Sequence, residues 1–428
     1  MPSRLQKHLA MRKLGTLTGI YSVCSAHPWV VRAAAEQAAE MGSLLLIEAT
    51  SNQVNQFGGY TGMRPAEFRT FVLAHAASAK LDEAALILGG DHLGPNPWRT
   101  ASADEAMKHA EKMVAEYVQA GFTKIHLDAS MPCSGDPAQL SDEVVAQRTA
   151  QLCKAAEKAC TTGDAPVYVI GTEVPVPGGA THSLQELDVT PTSAAAYTLA
   201  THRRIFEEQG LSNVWPRVIA LVVQPGVEFD HDAVVSYDRA KAWPLIQWLR
   251  AQPEEIVFEA HSTDYQLPEA YREMVEDGFA ILKVGPALTF AMREALCALE
   301  DMEMQLVVES QRSSLTRVIE ETMLQKPGNW KPYYTGTSLN QKLLRLYSYS
   351  DRIRYYWHRP EIVAAVDTLI SNLSTVTIPM GMCSRYLPAQ YARLRRGEID
   401  GNPVSLVVDV IRDVLRVYAA ACSQGVSV

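Results

Sequence analysis

ALILGGDHLGPNPWRTASADEAMKHAEKMVAEYVQAGFTKIHLD, residues Ala85–Asp128, is the stretch that decides the fold. It opens on a short apolar run, Ala85–Gly89, crosses a polar cluster and enters a segment of helical length. That segment ends at Gly121, just before a second short run, Lys124–Asp128. Within Ala103–Gln119 the residues Ala106, Met107, Ala110, Met113, Val114 and Tyr117 fall on one stripe. Such a stripe belongs to a helix laid on a core, and glycine suits the left-handed turn after its end. The spacing therefore predicts strand, helix, strand.

The same unit recurs on both sides. Further runs are Gly19–Cys24, Leu44–Ala49, Val167–Gly171, Val218–Val223, Ile256–Ala260 and Ala280–Val284, which brings the total to eight. They are nearly continuously apolar and rich in β-branched residues, as strands are when helices cover both faces of a parallel sheet. Leu267–Glu276 is another amphipathic connector and ends at Gly278. A doubly wound open sheet shares the pattern, but eight repeats favour closure into a (β/α)8 TIM barrel. After about Cys297 the strand signal stops. Ser314–Leu324, Leu339–Tyr349, Pro360–Asn372 and Leu406–Ala421 read as helices, so the chain divides into a barrel over 1–300 and a helical extension over 301–428. No low-complexity linker separates them, so the extension is expected to dock on the barrel or to serve subunit contacts, including contacts between copies of the chain.

Composition narrows the function. The formal charge is −9 with no basic stripe, which argues against nucleic acid as a partner. No apolar run reaches the roughly 18 residues of a membrane span. Met1–Leu14 has basic residues but no apolar core, so no secretory signal is read there. Seven scattered cysteines without a CxxC pair suit reduced thiols in a cytoplasmic protein. Gly58–Gly62 (GGYTG) lacks the lysine and spacing of a phosphate-binding P-loop, so ATP is not expected as a cofactor.

In such barrels the chemistry sits on the loops after the strands. Ser25 and His27 follow the first run, Glu48 and Asn52 the second, Asp91 and His92 the third, and His126 and Asp128 end the fourth. Thr172 and Glu173 follow the fifth, Gln224 the sixth, Glu259 to Asp264 the seventh, and Lys283 lies in the eighth. Asp91 beside His92 offers a base next to a metal ligand, and the paired glycines before them let backbone approach a ligand. Asp128 and Glu173 are further carboxylates able to exchange a proton. His92, Glu173 and His261, distant in sequence, would form a divalent-metal site if the barrel brings them together; Zn²⁺, Mg²⁺, Mn²⁺ and Ni²⁺ are the candidates. Ser262, Thr263, Lys283, Gly285 and Thr289 follow or lie in the last two runs, where these barrels often bind phosphate. Helix capping explains Ser262 and Thr263 equally well. Glu48, Asn52 and Gln224 are candidates for substrate contact.

The long motifs together are recognisable. SVCSAHPWV (Ser22–Val30), LLIEATSNQVNQFGGYTGM (Leu45–Met63), LILGGDHLGPN (Leu86–Asn96), KIHLDASM (Lys124–Met131) and YVIGTEVPVPGG (Tyr168–Gly179) carry the first half. VVQPGVEFDH (Val222–His231), FEAHSTDYQ (Phe258–Gln266), ILKVGPALTFA (Ile281–Ala291) and SDRIRYYW (Ser350–Trp357) carry the second. The chain resembles the GatZ/KbaZ family, the Z-type subunits of class II D-tagatose-1,6-bisphosphate aldolase, over nearly its whole length. The resemblance implies sugar catabolism in a bacterial cytoplasm, a ketohexose phosphate ligand, and a Y-type class II aldolase subunit as the partner whose activity and stability it supports. The runner-up that the resemblance implies is a stand-alone, metal-dependent ketohexose-6-phosphate 4-epimerase.

The Y-type aldolases are a more distant likeness. Their Asp-His pair looks like Asp91-His92. Their late-strand histidine zinc ligand looks like His261, and their Lys-Val-Asn phosphate segment is similar to Lys283-Val284-Gly285. They carry a zinc-binding histidine on the sixth strand, where this chain has Gln224. That departure leaves three outcomes: Glu173 completes the site, Gln224 completes it, or the metal is lost.

Overall fold

The structure, a computed structural model, describes residues 2–14, 16–161, 163–171, 187–253 and 255–423. The strands in chain order are β1 (Ile20–Val23), β2 (Leu45–Thr50), β3 (Leu86–Leu93), β4 (Lys124–Leu127), β5 (Val167–Ile170), β6 (Val218–Val222), β7 (Glu228–Phe229), β8 (Val234–Val235), β9 (Val257–Ala260) and β10 (Phe279–Val284). All but β7 and β8 are parallel and form one closed barrel, which β1 completes by pairing with both β2 and β10. Each of the eight apolar runs is a barrel strand. The short antiparallel ribbon β7–β8 lies in the loop after β6 and has no counterpart in the apolar pattern, because two-residue strands leave no periodicity to read.

Helices flank the strands as the amphipathic stripes require. Ala103–Gln119 starts on the Ser102 hydroxyl and buries Ala106, Met107, Ala110, Met113, Val114, Tyr117 and Val118. A short N-terminal helix, Arg4–Ala10, is closed by a Ser3–Gln6 capping box. Its Leu5 and Leu9 join Ile20, Leu46, Ile87, Val169, Ile219 and Ile281 in one buried cluster, so it stoppers the barrel at the strand N-termini. The mouth at the other end is left for function.

The expected boundary at residue 300 falls inside a single helix, Pro286–Leu306. The later helices run Leu315–Gln325, Ser338–Tyr347, Pro360–Ser374, Met380–Tyr386, Pro388–Arg396 and Pro403–Cys422. The last packs against Pro28–Met41, Pro268–Asp277 and Pro286–Leu306. The Cys422 carbonyl accepts from the Gly19 amide just before β1. All seven cysteines are free thiols. Among the described residues, no helix is long and apolar enough to cross a membrane.

Candidate active site

A ladder of charge fills the barrel below its mouth. Glu48 on β2, Gly89 on β3 and Lys124 on β4 are in register. A Cβ on Gly89 would stand 2.7 Å from Glu48 Cγ, so the glycine gives Glu48 room to cross β3. Glu48 Oε1 then reaches Lys124 Nζ at 2.6 Å. The other side of Lys124 faces Glu259 Oε2, also at 2.6 Å. Lys283 pairs with Glu48 and lies 2.9 Å from Asp91 Oδ1 and 3.8 Å from Glu259 Oε1. Gly90 likewise accommodates Leu93 and Tyr117. The two glycines thus serve side-chain packing. A buried charge is tolerated only when paired, and these groups are paired alternately.

The reactive groups stand on top of this ladder. β3 bulges where Asp91 and His92 together face the single residue His126 of β4. His92 takes the left-handed conformation, φ 49°, that a non-glycine residue rarely adopts. Both Asp91 and His92 line the mouth, which the side-chain alternation of a regular strand would not allow. Asp91, His92, His126 and His261 each offer a ligand atom, all within 4.8 Å of one another. The ring centroids of the three imidazoles are 4.9–5.4 Å apart.

Each imidazole has one nitrogen fixed from outside the cluster. His92 Nδ1 is 2.7 Å from Asp128 Oδ2. His261 Nε2 is 3.0 Å from Glu259 Oε1. His126 Nε2 is 3.0 Å from the Gly171 carbonyl, which can only accept. The remaining nitrogens are His92 Nε2, His126 Nδ1 and His261 Nδ1. Orientation of a metal-binding histidine by a carboxylate or carbonyl on its other nitrogen is how such sites are held. His126 Nδ1, a lone pair in that tautomer, accepts from the His92 backbone amide at 3.2 Å and also lies 3.0 Å from Asp91 Oδ1. The Lys283 ammonium, 2.9 Å from the same Asp91 oxygen, supplies positive charge beside this pair. The residues present offer a divalent ion the lone pairs of His92 and His261, with Asp91 beside them, and that of His126 once it leaves the His92 amide.

The electrostatics follow from burial and neighbours. Burial opposes the charge on His92, but Asp91 and Asp128 push its pKa up to about 9. Burial would raise Asp91, yet His92 and Lys283 hold it well below the usual carboxylate range. Lys283 is raised well above the ordinary lysine value by Asp91, Cys24 and Glu48 against the cost of burial. His261 goes the other way: burial drives it down to about 4. The Cys24 thiol is pushed up by burial, which leaves it a poor nucleophile.

Above the cluster opens a cavity of ≈ 860 Å³. Asn52, Asp91, His92, Asp128, His261, Ser262, Lys283, Gly285 and Thr289 line it. Other expected residues have different settings. Glu48 lies beneath the mouth in the charge ladder. Asp128 is engaged on both oxygens, by His92 and by the Ser130 amide and hydroxyl, and so orients His92. The Gln224 side-chain oxygen accepts from the Gly226 and Val227 amides. Thr263 donates to the Lys283 carbonyl and contacts the Tyr418 hydroxyl. The Gly285 and Ala287 amides, where phosphate was expected, both donate to Asp264 Oδ1. Thr289 donates to Asp351. Glu173 lies outside the described residues. The GGYTG loop turns the Gly59, Tyr60 and Thr61 amides onto Asn55, Asn52 and Gln53.

Three participants carried no role in the sequence reading: His126, Lys124 and Glu259. Their signal was a polar residue inside an otherwise apolar strand, Lys124 and His126 in KIHL and Glu259 in VFEA. Burying such a residue costs free energy unless something satisfies it.

A family model described as D-tagatose-1,6-bisphosphate aldolase subunit GatZ/KbaZ-like matches residues 5–423. The chain belongs to the GatZ/KbaZ-like family. Among solved structures, a probable tagatose 6 phosphate kinase from Sinorhizobium meliloti 1021 is similar at 49% identity, with TM-score 0.88, over 94% of this GatZ/KbaZ-like chain and 100% of that one. Fructose-bisphosphate aldolase from Campylobacter jejuni matches at 14% identity and TM-score 0.48, covering 86% of this chain and 91% of that one. The YdjI aldolase from Escherichia coli K12 matches at 11% and 0.42, covering 87% and 99%. Neither of these two likenesses is close enough to say anything about chemistry.

Proposed function

We propose that this chain performs aldolase-type chemistry on ketohexose phosphates at its own site, as a 4-epimerase that cleaves and re-forms the C3–C4 bond. The observation that supports this best is the convergence of Asp91, His92, His126 and His261 within 4.8 Å, with Asp91, His92 and His261 lining the cavity. A scaffold has no need of a strained His92 or of three imidazoles each held by a second partner.

C4 is not α to the C2 carbonyl, so simple deprotonation cannot invert it. Loss of the C4 hydroxyl proton with cleavage of C3–C4 gives an aldehyde and an enediolate, and re-addition to the other aldehyde face inverts C4. Asp91, ionised before substrate arrives, would receive the C4 hydroxyl proton and return it. The Lys283 ammonium, in the cavity wall beside Asp91, would offset the charge that develops on the C2–C3 oxygens. Asp128 and Glu259 hold His92 and His261 in place. A divalent ion held by His92, His126 and His261 would supply Lewis-acid polarisation of the C2 carbonyl.

The test is to incubate the pure chain with fructose 6-phosphate and, separately, tagatose 1,6-bisphosphate, with and without Mg²⁺, Mn²⁺, Zn²⁺ or Ni²⁺. Tagatose 6-phosphate should form from the first. Asp91→Asn should lower turnover by about 10²–10⁴-fold while leaving the fold intact. No epimerisation with any of these metals would overturn the reading. A second role, supporting a Y-type aldolase subunit, is favoured by the description of the matching family as an aldolase subunit. An unchanged activity and melting temperature of that partner on mixing would exclude it.

A further inference from the structure

The loop after β9 carries its own anion to the place where barrels of this kind often take one. Loops after the last two strands commonly hold phosphate on the amides that open the next helix. Here that helix is Pro286–Leu306, and the Gly285 and Ala287 amides donate to Asp264 Oδ1 at 3.0 and 2.9 Å. Pro286 has no N–H, and the Leu288 amide donates to the Gly285 carbonyl at 3.1 Å. From Gly285 to Leu288, then, every amide is already taken. Lys283 is engaged by Glu48 and Asp91. Asp264 is also firmly placed. Ser262 and Tyr265, on either side of it, take left-handed backbone, φ 51° and 65°. Thr263 donates to the Lys283 carbonyl, and the Tyr265 hydroxyl donates to the Tyr349 carbonyl at 2.7 Å.

We propose that Asp264 sets the specificity of the site: its carboxylate stands where a phosphate would sit at this helix start, so the substrate is a ketohexose with a single phosphate whose other end presents a hydroxyl to Asp264. The proposal rests on the sugar-phosphate reading above and narrows it to monophosphates against bisphosphates. The Asp264 side chain is 2% exposed and lines the cavity. Both amide hydrogen bonds fall on Oδ1, and no other described residue donates to Oδ2. A buried acceptor costs free energy until a donor reaches it, so Oδ2 favours a sugar hydroxyl. A phosphate in the same place would find its amides occupied and a like charge beside it, which opposes binding. Burial lifts the Asp264 carboxyl to about 6 against the pull of its two amides and of Arg354, which leaves it mostly ionised at neutral pH.

Calorimetric titration of the full chain with inorganic phosphate, fructose 6-phosphate and fructose 1,6-bisphosphate tests this, using wild type, Asp264→Ala and Asp264→Asn. Wild type should bind the monophosphate more tightly than the bisphosphate. Asp264→Ala frees both amides and removes the charge. Its affinity for the bisphosphate relative to the monophosphate should rise about ten- to hundredfold, the range expected for hydrogen bonds to a charged group. The same variant should take up one more inorganic phosphate per chain than wild type. If Asp264→Ala fails to fold, Asp264→Asn, which keeps an acceptor for the amides but not the charge, should still shift the ratio toward the bisphosphate. An unchanged ratio in every folded variant overturns the role of Asp264. Wild type that binds or epimerises the bisphosphate as well as the monophosphate overturns it too, and leaves the catalytic reading standing. A ratio that shifts with Asp264 in the absence of turnover supports the role and counts against the catalytic reading alone.

Discussion

Replacing Lys124 by methionine would test the charge ladder on which the site stands. Methionine keeps length and approximate volume but removes the charge. Lys124 Nζ lies 2.6 Å from Glu48 and 2.6 Å from Glu259, all three side chains with 0% exposure. In the variant, Lys283 alone faces Glu48, Asp91 and Glu259. Removing one partner of a buried ion pair costs about 3–5 kcal/mol. With an unfolding entropy of about 2.1 cal/mol/K per residue, 428 residues correspond to about 0.9 kcal/mol/K, so Tm should fall by about 3–6 °C. Differential scanning calorimetry of the metal-free protein at pH 7 measures it. Adding Glu48→Gln should then cost less than Glu48→Gln costs on its own, because the carboxylate it removes has already lost its lysine; a coupling of about 1–3 kcal/mol is expected. Strict additivity, or a single variant melting within about 1 °C of wild type, would refute the view that paired charge sustains this core.

Three further predictions concern individual residues. His126→Ala should weaken Zn²⁺ or Mn²⁺ binding as severely as His261→Ala, read by metal titration; an unaffected His126→Ala would remove His126 from the metal set. Burial raises Glu228 from the ordinary 4.5 to about 7, so the folded state holds a proton that the unfolded chain releases between those values. Stability should therefore fall as pH rises through that window, by about 3 kcal/mol at most. Relative to wild type, Glu228→Gln should gain melting temperature from pH 5 to pH 8, and an equal difference at both would refute the assignment. Gly89→Ala should destabilise by about 1–3 kcal/mol, because its Cβ collides with Glu48; urea denaturation showing no change would mean that Glu48 does not need that passage.

The barrel was legible because its strands are buried on both faces. That burial forces short, nearly continuous apolar runs, and it repeats eight times with amphipathic helices between. The pairing of Asp91 with His92 was legible as adjacent polar residues after a strand. The bulge that lets both face the mouth was not, since it depends on the register against β4. His126 was visible as a polar residue at a strand end but carried no metal role. Gln224, read against distant relatives, pointed to a missing ligand, whereas a third imidazole comes from β4. The phosphate expectation at Gly285 failed to foresee Asp264, whose carboxylate takes the same amides.

By itself, then, the amino-acid sequence determined the strand count, the closed parallel barrel, the family and the set of polar residues at the strand ends. Periodicity and burial act locally along a chain, so they leave a local record. Only the tertiary structure decided that Glu48, Lys124 and Glu259 form one ladder, that His92, His126 and His261 gather beside Asp91, and that the extension walls the cavity with Arg352 and Arg354. Those relations join residues up to some three hundred positions apart. They depend on closure and register, which no local spacing encodes.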